Sequence, residues 1–303
     1  MRQSAKAPSS DAFETPFNDR VGKIALYAVG LINGSLGLAL RRAGFLGETV
    51  GIGRRAETLE IAKAKGAIDR YVLETEAAPA LDGADMVVSG APVHLISDSI
   101  RRLSEHAPET AVFTDVGSVK ASIVCACQSA VSRGNFVGGH PIAGSHRTGA
   151  GAAEAELFDG RVCVLTPTSE TRPAAVALVR QMWELAGMRV IEISPETHDA
   201  LLAASSHLPH AAAAVLASVI GAASENGLRA TAFAGGGYLD TTRIAQGSAD
   251  LWEPILRMNA KPVEKLLRRY AKELTAFADA LAEGNGREIH KRLDEARRAR
   301  HDQ

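Results

Sequence analysis

At 303 residues the chain has room for two domains of ordinary size. Its 34 basic and 35 acidic side chains nearly cancel, and a pI near 6.8 leaves neither a basic footprint for nucleic acid nor a charge excess for an anionic membrane. Three cysteines, Cys125, Cys127 and Cys163, are an odd number at spacings that suit no zinc site, and they read as reduced thiols of a cytoplasmic protein. No apolar run is expected to span a bilayer. Residues 1–20 lack the apolar core of a signal peptide and read as a flexible tail.

Strand candidates follow in chain order at Lys23–Val29, Thr49–Ile52, Met86–Ser89, Ala111–Thr114, Phe136–Val137, Val162–Leu165 and Arg189–Ile193. Between them, apolar residues recur at helical spacing over Leu31–Ala43, Glu57–Lys65, Val93–His106, Lys120–Ser129 and Arg172–Ala186. This alternation predicts a parallel sheet covered on both faces. It stops at about residue 193. From Pro195, with Ser194 as its N-cap, only helical periodicity remains and no strand candidate is found. His198–Asn226 is rich in alanine; Pro262–Glu283 carries one apolar face, is closed by Gly284-Asn285-Gly286, and precedes a charged helix over Arg287–Arg300. The fold class is therefore an α/β Rossmann-like dinucleotide-binding domain over residues 21–193, followed by an all-α domain over 194–303.

The segments that carry chemistry lie between these elements. The first strand runs into Ala28-Val29-Gly30-Leu31-Ile32-Asn33 and then a helix, the position of a phosphate-binding turn. The second ends in Gly53-Arg54-Arg55, with no carboxylate for a ribose hydroxyl and two guanidinium groups that would attract a 2′-phosphate. Gly90-Ala91-Pro92 follows the next strand. Gly138-Gly139-His140-Pro141-Ile142-Ala143-Gly144-Ser145 reads as an open turn around a histidine fit for proton transfer near neutral pH. His207 and His210 share a helix face, but no third ligand is in view, so no metal site is expected.

Four blocks in this order, Asp115–Lys120, Gly138–Ser145, Ser206–His210 and Thr242–Ala245, resemble the prephenate/arogenate dehydrogenase family of tyrosine biosynthesis. The resemblance runs from about Lys23 to the C-terminus. It implies oxidation of a cyclohexadienyl substrate at C4, with hydride transfer to a nicotinamide and loss of carbon dioxide. In that reading His140 accepts the hydroxyl proton and Ser118 hydrogen-bonds the same hydroxyl. His210 binds the substrate and Arg243 a substrate carboxylate, with Ser145 and His146 beside them, and Lys120 supports its loop. A homodimer through the helical domain is also implied. Ala28, Gly30, Leu31, Ile32, Asn33, Gly53, Arg54, Arg55, Ala91 and Pro92 are the cofactor-binding candidates, with NADP favoured over NAD.

Two departures stand out. Members usually carry three glycines where this chain has Ala28, Gly30 and Asn33, which predicts weakened dinucleotide affinity, with the Asn33 side chain standing where close packing or phosphate approach is expected. Many also carry a glutamate where His146 stands, followed here by Arg147. A carboxylate there suits the ammonium of arogenate, so its loss favours prephenate, with arogenate or dual use still open. Two other readings remain. One is a non-catalytic metabolite-binding homologue with an eroded cofactor turn. The other is a 3-hydroxy-acid dehydrogenase, disfavoured because Asp199–Ser218 contains no lysine.

Overall fold

The computed structural model describes residues 15–144 and 147–301. The chain divides into two compact units: residues up to Asp199 together with Gly247–Met258, and Ala200–Gln246 together with Asn259 onward.

The first unit is built on an eight-stranded sheet: β1 (Lys23–Tyr27), β2 (Glu48–Gly53), β3 (Arg70–Leu73), β4 (Met86–Ser89), β5 (Val112–Asp115), β6 (Phe136–Pro141), β7 (Val162–Thr166) and β8 (Arg189–Glu192). Their spatial order is β3-β2-β1-β4-β5-β6-β7-β8. Its helices are α1 (Phe17–Arg20), α2 (Leu31–Arg42), α3 (Ala56–Ala64), α4 (Ala78–Leu81), α5 (Ile96–Ser104), α6 (Ala121–Ala130), α7 (Pro173–Leu185) and the start of α8 (Pro195–Leu202). β1 lies between β2 and β4, so the chain reverses direction across the sheet there. Ligands of open α/β sheets bind at such a switch point, beyond the carboxyl ends of the strands.

Three features differ from the sequence reading. β3 has no counterpart among the strand candidates, because an edge strand with half-exposed residues lacks the continuous apolar run of its neighbours. The sheet is mixed: β6 and β7 pair antiparallel, since residues 142–161 connect them without a crossover helix of α type. Phe17, within the stretch read as a tail, is buried against Phe45 with ring centroids 5.6 Å apart. The rest of the N-terminal tail, residues 1–14, lies outside the described residues.

Two apolar cores line the two faces of the sheet. One gathers Leu26, Leu36, Phe158 and Trp183, the other Ile52, Ile100, Phe113 and Phe136. Ile255 of α11 (Ala249–Met258) joins the second core, with Trp252 packed against it.

In the second unit, a π-helical turn at Ala203–His207 leads into α9 (Leu208–Ala222). α10 (Gly236–Thr242), α12 (Ala260–Ala282) and α13 (Gly286–His301) complete it. Ser194 Oγ accepts from the Thr197 amide at 3.1 Å, the expected N-cap of the helix that opens at Pro195. After Pro195, where no strand was expected, there is a minimal hairpin: Ser224–Glu225 pairs antiparallel with Leu228–Arg229. Asn226 and Gly227, at φ of +52° and +78°, make its turn, the Asn-Gly signature of type I′. The expectation of no bilayer-length segment also needs correction. The helical run Pro195–Ala222, 28 residues, is long and apolar enough by length and composition to cross a membrane. Leucines and valines among the alanines supply that character, and the same run buries His198, Asp199, His207 and His210.

Candidate active site

The dinucleotide turn begins where β1 ends. Ala28 has φ +58°, the left-handed region that glycine occupies without cost. This is the position at which the resembled family has its first glycine, and the strain falls here rather than on Asn33. Gly30 caps α2, and a Cβ built on it would meet nothing within 4 Å, so the backbone amides at the helix start are open to an approaching anion.

Of the two places the sequence left open for Asn33, close packing or the phosphate approach, the structure shows the first. Asn33 is 1% exposed, and its Nδ2 donates to the Tyr27 carbonyl at 2.8 Å and the Val88 carbonyl at 3.1 Å. The side chain therefore clamps the ends of β1 and β4 at the switch point. Gly90 makes the clamp possible, since a Cβ there would lie 2.7 Å from Asn33 Nδ2. The two departures from the glycine pattern thus have opposite signs. Ala28→Gly is expected to raise stability by about 0.5–1 kcal/mol, the left-handed cost less the added freedom of the unfolded chain. Asn33→Gly is expected to lower it by about 1–3 kcal/mol through lost buried hydrogen bonds. Urea unfolding of the two single variants checks both signs.

A cleft of about 820 Å³ opens beside this turn, with Ala28, Arg54, Glu74, Ala91, Pro92 and Arg102 among its walls. A smaller pocket of about 220 Å³ adjoins Gly30, Gly53, Arg54 and Arg55. Leu31 and Ile32 are half-buried and pack against the core. Gly53 is buried against Leu59, whose Cδ2 would lie 3.3 Å from an added Cβ. Arg102 is already engaged by Glu74 at 2.6 Å and by the Tyr27 hydroxyl at 3.3 Å. Burial, then the Glu74 carboxylate, pushes the Tyr27 phenol above its ordinary pKa, so it remains a donor to Glu74. Arg54 and Arg55 pair with no carboxylate among the described residues. The cleft, the open helix start and the uncovered Gly30 fit a nicotinamide dinucleotide.

The second cluster lies at the ends of β5 and β6. Asp115 and Lys120 are fully buried and ion-paired. Lys120 Nζ also donates to the Gly139 carbonyl at 2.9 Å, while Asp115 accepts from the amides of Gly117 at 2.8 Å and Gly139 at 3.2 Å. The pair thereby ties the loop bearing half-buried Ser118 to the strand residue preceding His140. Lys120 is a buttress.

Residues 138–141 are strand rather than open turn. A Cβ on Gly138 would lie 2.5 Å from the Thr166 hydroxyl, and one on Gly139 2.7 Å from the Asp115 carbonyl. These glycines serve close strand packing and do not open an approach. Ser145 and His146 lie outside the described residues, and Arg147 beside them pairs with Glu154 at 3.0 Å on the surface.

His140, half-buried, makes a contact that the sequence reading missed. Its Nδ1 lies 2.8 Å from His198 Nε2, and His198 Nδ1 lies 2.8 Å from Asp199 Oδ1. Asp199 also accepts from the Lys120 amide at 2.7 Å and the Ala121 amide at 2.9 Å. Burial alone would raise the Asp199 pKa, but the His198 bond and the two amides outweigh it and hold the carboxyl below its ordinary range. The available signal was the His198-Asp199 pair in the first turn of a helix.

In the second unit His210 is buried in the first turn of α9, and burial lowers its pKa, favouring the neutral ring. His207 accepts from Asn259 Nδ2 at 3.0 Å, so it joins the π-helical turn to the start of α12. Arg243 is exposed at the end of α10, on a 3₁₀ turn that packs against α9.

A sheet with an open helix start at its switch point, and a histidine at the end of β6, is an arrangement that suits a dinucleotide-dependent oxidoreductase. Comparison with known proteins narrows the class. The family description "Prephenate dehydrogenase, nucleotide-binding domain" matches residues 36–192, and "Prephenate dehydrogenase, dimerization domain" matches 194–295. Prephenate dehydrogenase of Bacillus subtilis is 33% identical over 258 residues, covering 84% of this chain and 67% of that protein. Cyclohexadienyl dehydrogenase of Zymomonas mobilis is 30% identical over 218 residues, covering 72% and 74%. Among solved structures, prephenate dehydrogenase from A. aeolicus in complex with hydroxyphenyl propionate and NAD+ aligns with a TM-score of 0.87 at 31% identity, covering 92% of this chain and 97% of that one. Synechocystis arogenate dehydrogenase aligns at 0.80 and 29% identity, covering 92% and 99%. The chain belongs to the prephenate dehydrogenase family.

Proposed function

We propose that the protein oxidises prephenate to 4-hydroxyphenylpyruvate and carbon dioxide, using NADP in preference to NAD. The observation that carries the reading is His140, fixed at the end of β6 by the buried Asp115–Lys120 pair beneath it. A bound nicotinamide supplies the hydride acceptor. His140 takes the proton of the C4 hydroxyl as the C4 hydride leaves. Loss of the ring carboxylate as carbon dioxide then completes an aromatic ring, which makes the overall step downhill. The chain therefore has chiefly to orient the substrate and move one proton. Ser118, on the loop after the neighbouring strand β5, is assigned to the same hydroxyl. His210 is assigned to the substrate and Arg243 to a substrate carboxylate, for which a guanidinium fork is suited. Ser145 and His146 stay in the proposed substrate set. The boundary near residue 193 and a cytoplasmic location belong to the same proposal.

The test is turnover of prephenate with each dinucleotide, followed by nicotinamide absorbance. Reduction of dinucleotide with prephenate supports the reading. Turnover only with arogenate moves the substrate assignment to arogenate, a reading favoured by the arogenate and cyclohexadienyl dehydrogenases among the relatives. No turnover with either, but retained dinucleotide binding, supports a metabolite-binding homologue.

The preference for NADP rests on Arg54 and Arg55 beside the carboxylate-free end of β2. Arg54→Ala is expected to raise KM for NADP by about tenfold, through loss of a charged hydrogen bond of about 1.5 kcal/mol or more, and to change KM for NAD little. Equal effects on both would mean that Arg54 does not read the 2′-phosphate.

A homodimer through the helical unit is supported by apolar residues left uncovered there. Val215 and Val219 on α9 are 61% and 63% exposed, and Leu274 and Leu281 of α12 are 53% and 57% exposed. Several exposed aliphatic side chains on two helices of one unit are what a self-association surface would use. Val219→Asp is expected to shift the protein from dimer to monomer by light scattering, because an unpaired carboxylate in an apolar interface is strongly unfavourable.

A further inference from the structure

The contact between His140 and His198 does more than pack two rings, which meet edge to face with centroids 5.1 Å apart. We propose that His198 and Asp199 form a positioning relay that fixes the tautomer and orientation of His140. The relay rests on His140 being the base and adds the residues that make it one.

Proton positions follow from the partners of Asp199, which accepts on both oxygens. Its Oδ1 faces His198 Nδ1 and the Lys120 amide, and Oδ2 faces the Ala121 amide. An ionised carboxylate has no proton to give, so His198 must carry its proton on Nδ1. In the neutral ring that leaves His198 Nε2 as an acceptor. The atom it meets, His140 Nδ1, must then be the donor. The lone pair of His140 is consequently on Nε2, the nitrogen directed away from His198. One carboxylate thus sets two tautomers in series.

The relay also serves the protonated state. When His140 takes a proton on Nε2, its Nδ1–H bond to His198 becomes charge-assisted, and the Asp199 carboxylate lies one ring beyond. No proton need pass along the chain. His198 is fully buried, so water cannot replace it as the partner. The ionisable groups packed around the pair, among the described residues, are Asp115 from β5, Lys120 at the start of α6, Cys163 on β7 and Asp199 on α8. Asp115 and Lys120 neutralise each other, and burial pushes the Cys163 thiol far up, keeping it neutral. Asp199 is therefore the charge that favours a protonated His140.

The experiment compares His198→Leu and His198→Gln in the full chain with the parent, measuring initial rates against pH with saturating prephenate and dinucleotide. His198→Leu is expected to lower kcat by about 10- to 100-fold with KM for the dinucleotide unchanged. It should also move the acid limb of the kcat profile to lower pH. In His198→Gln an amide oxygen can still accept from His140 Nδ1–H, and a substantial part of kcat should return. A folded His198→Leu with parental kcat and pH profile overturns the relay. Equal impairment of both variants with an unmoved acid limb overturns it too, leaving His198 a packing role only. Nitrogen-15 histidine NMR of the parent gives a readout that needs no variant to fold. The relay requires the Nδ1–H tautomer of neutral His140, and the Nε2–H tautomer overturns it. His140→Asn separates the two levels: full turnover in that variant removes the base assignment itself, whereas its inactivity beside a parental His198→Leu removes only the relay.

Discussion

His140→Asn is expected to lower kcat by about 10²- to 10⁴-fold, the usual contribution of a positioned general base. Asparagine retains a polar side chain of similar reach but has no lone pair basic enough to take the hydroxyl proton. The dinucleotide turn, built by β1, α2 and Asn33, is separate from the strand residue being replaced. Dinucleotide affinity should therefore change little when measured by fluorescence titration. Loss of both turnover and dinucleotide binding would mean that the substitution had disturbed the sheet, and full turnover would mean that the proton goes elsewhere.

Lys120→Met should be the most damaging single change to stability, costing about 3–5 kcal/mol. The ammonium is fully buried, pairs with Asp115 and donates to the Gly139 carbonyl. Methionine fills similar volume but leaves the Asp115 carboxylate buried with only the Gly117 and Gly139 amides. Urea unfolding should reveal the loss. Replacing both partners together, as Asp115→Leu with Lys120→Met, should cost clearly less than the sum of the two single changes, since no orphan charge remains. Simple additivity would show that the pair is not coupled. Activity is a second readout, because the same pair holds the Ser118 loop against the strand that carries His140.

Much of this architecture is written in local pattern. Apolar runs of β1, β4 and β7 are short and bounded, and the intervening helices show their periodicity, so a layered α/β unit could be read directly. What escaped has identifiable causes. β3 is an edge strand with half-exposed side chains, and the reversal at β7 depends on a connection whose path no periodicity encodes. The two-residue ladder at Ser224–Arg229 is too short for alternation, although Asn226-Gly227 announces it. The glycines before His140 were visible, but their use in close packing depends on Thr166 and Asp115, which come from other strands. Asn33 is the instructive case. Its place left close packing and phosphate approach both open, and only the positions of the Tyr27 and Val88 carbonyls reveal that it faces inward. The His198–Asp199 pair was visible as a signal, but a histidine 58 residues from His140 acquires its meaning only through the fold.

The π-helical turn at Ala203–His207 has a consequence for how this sequence can change over time. One extra residue in a helix rotates everything after it by roughly 100°. The wider π turn absorbs one such residue, so α9 keeps its phase after it, and His207, bonded to Asn259, pins that turn. A one-residue deletion between His207 and His210 has no such turn to absorb it. It would swing His210 from its buried side and turn Val215 and Val219 toward a different azimuth. Point substitutions in this alanine-rich stretch can drift one at a time. Insertions and deletions cannot, and the segment should tolerate changes of residue far better than changes of length.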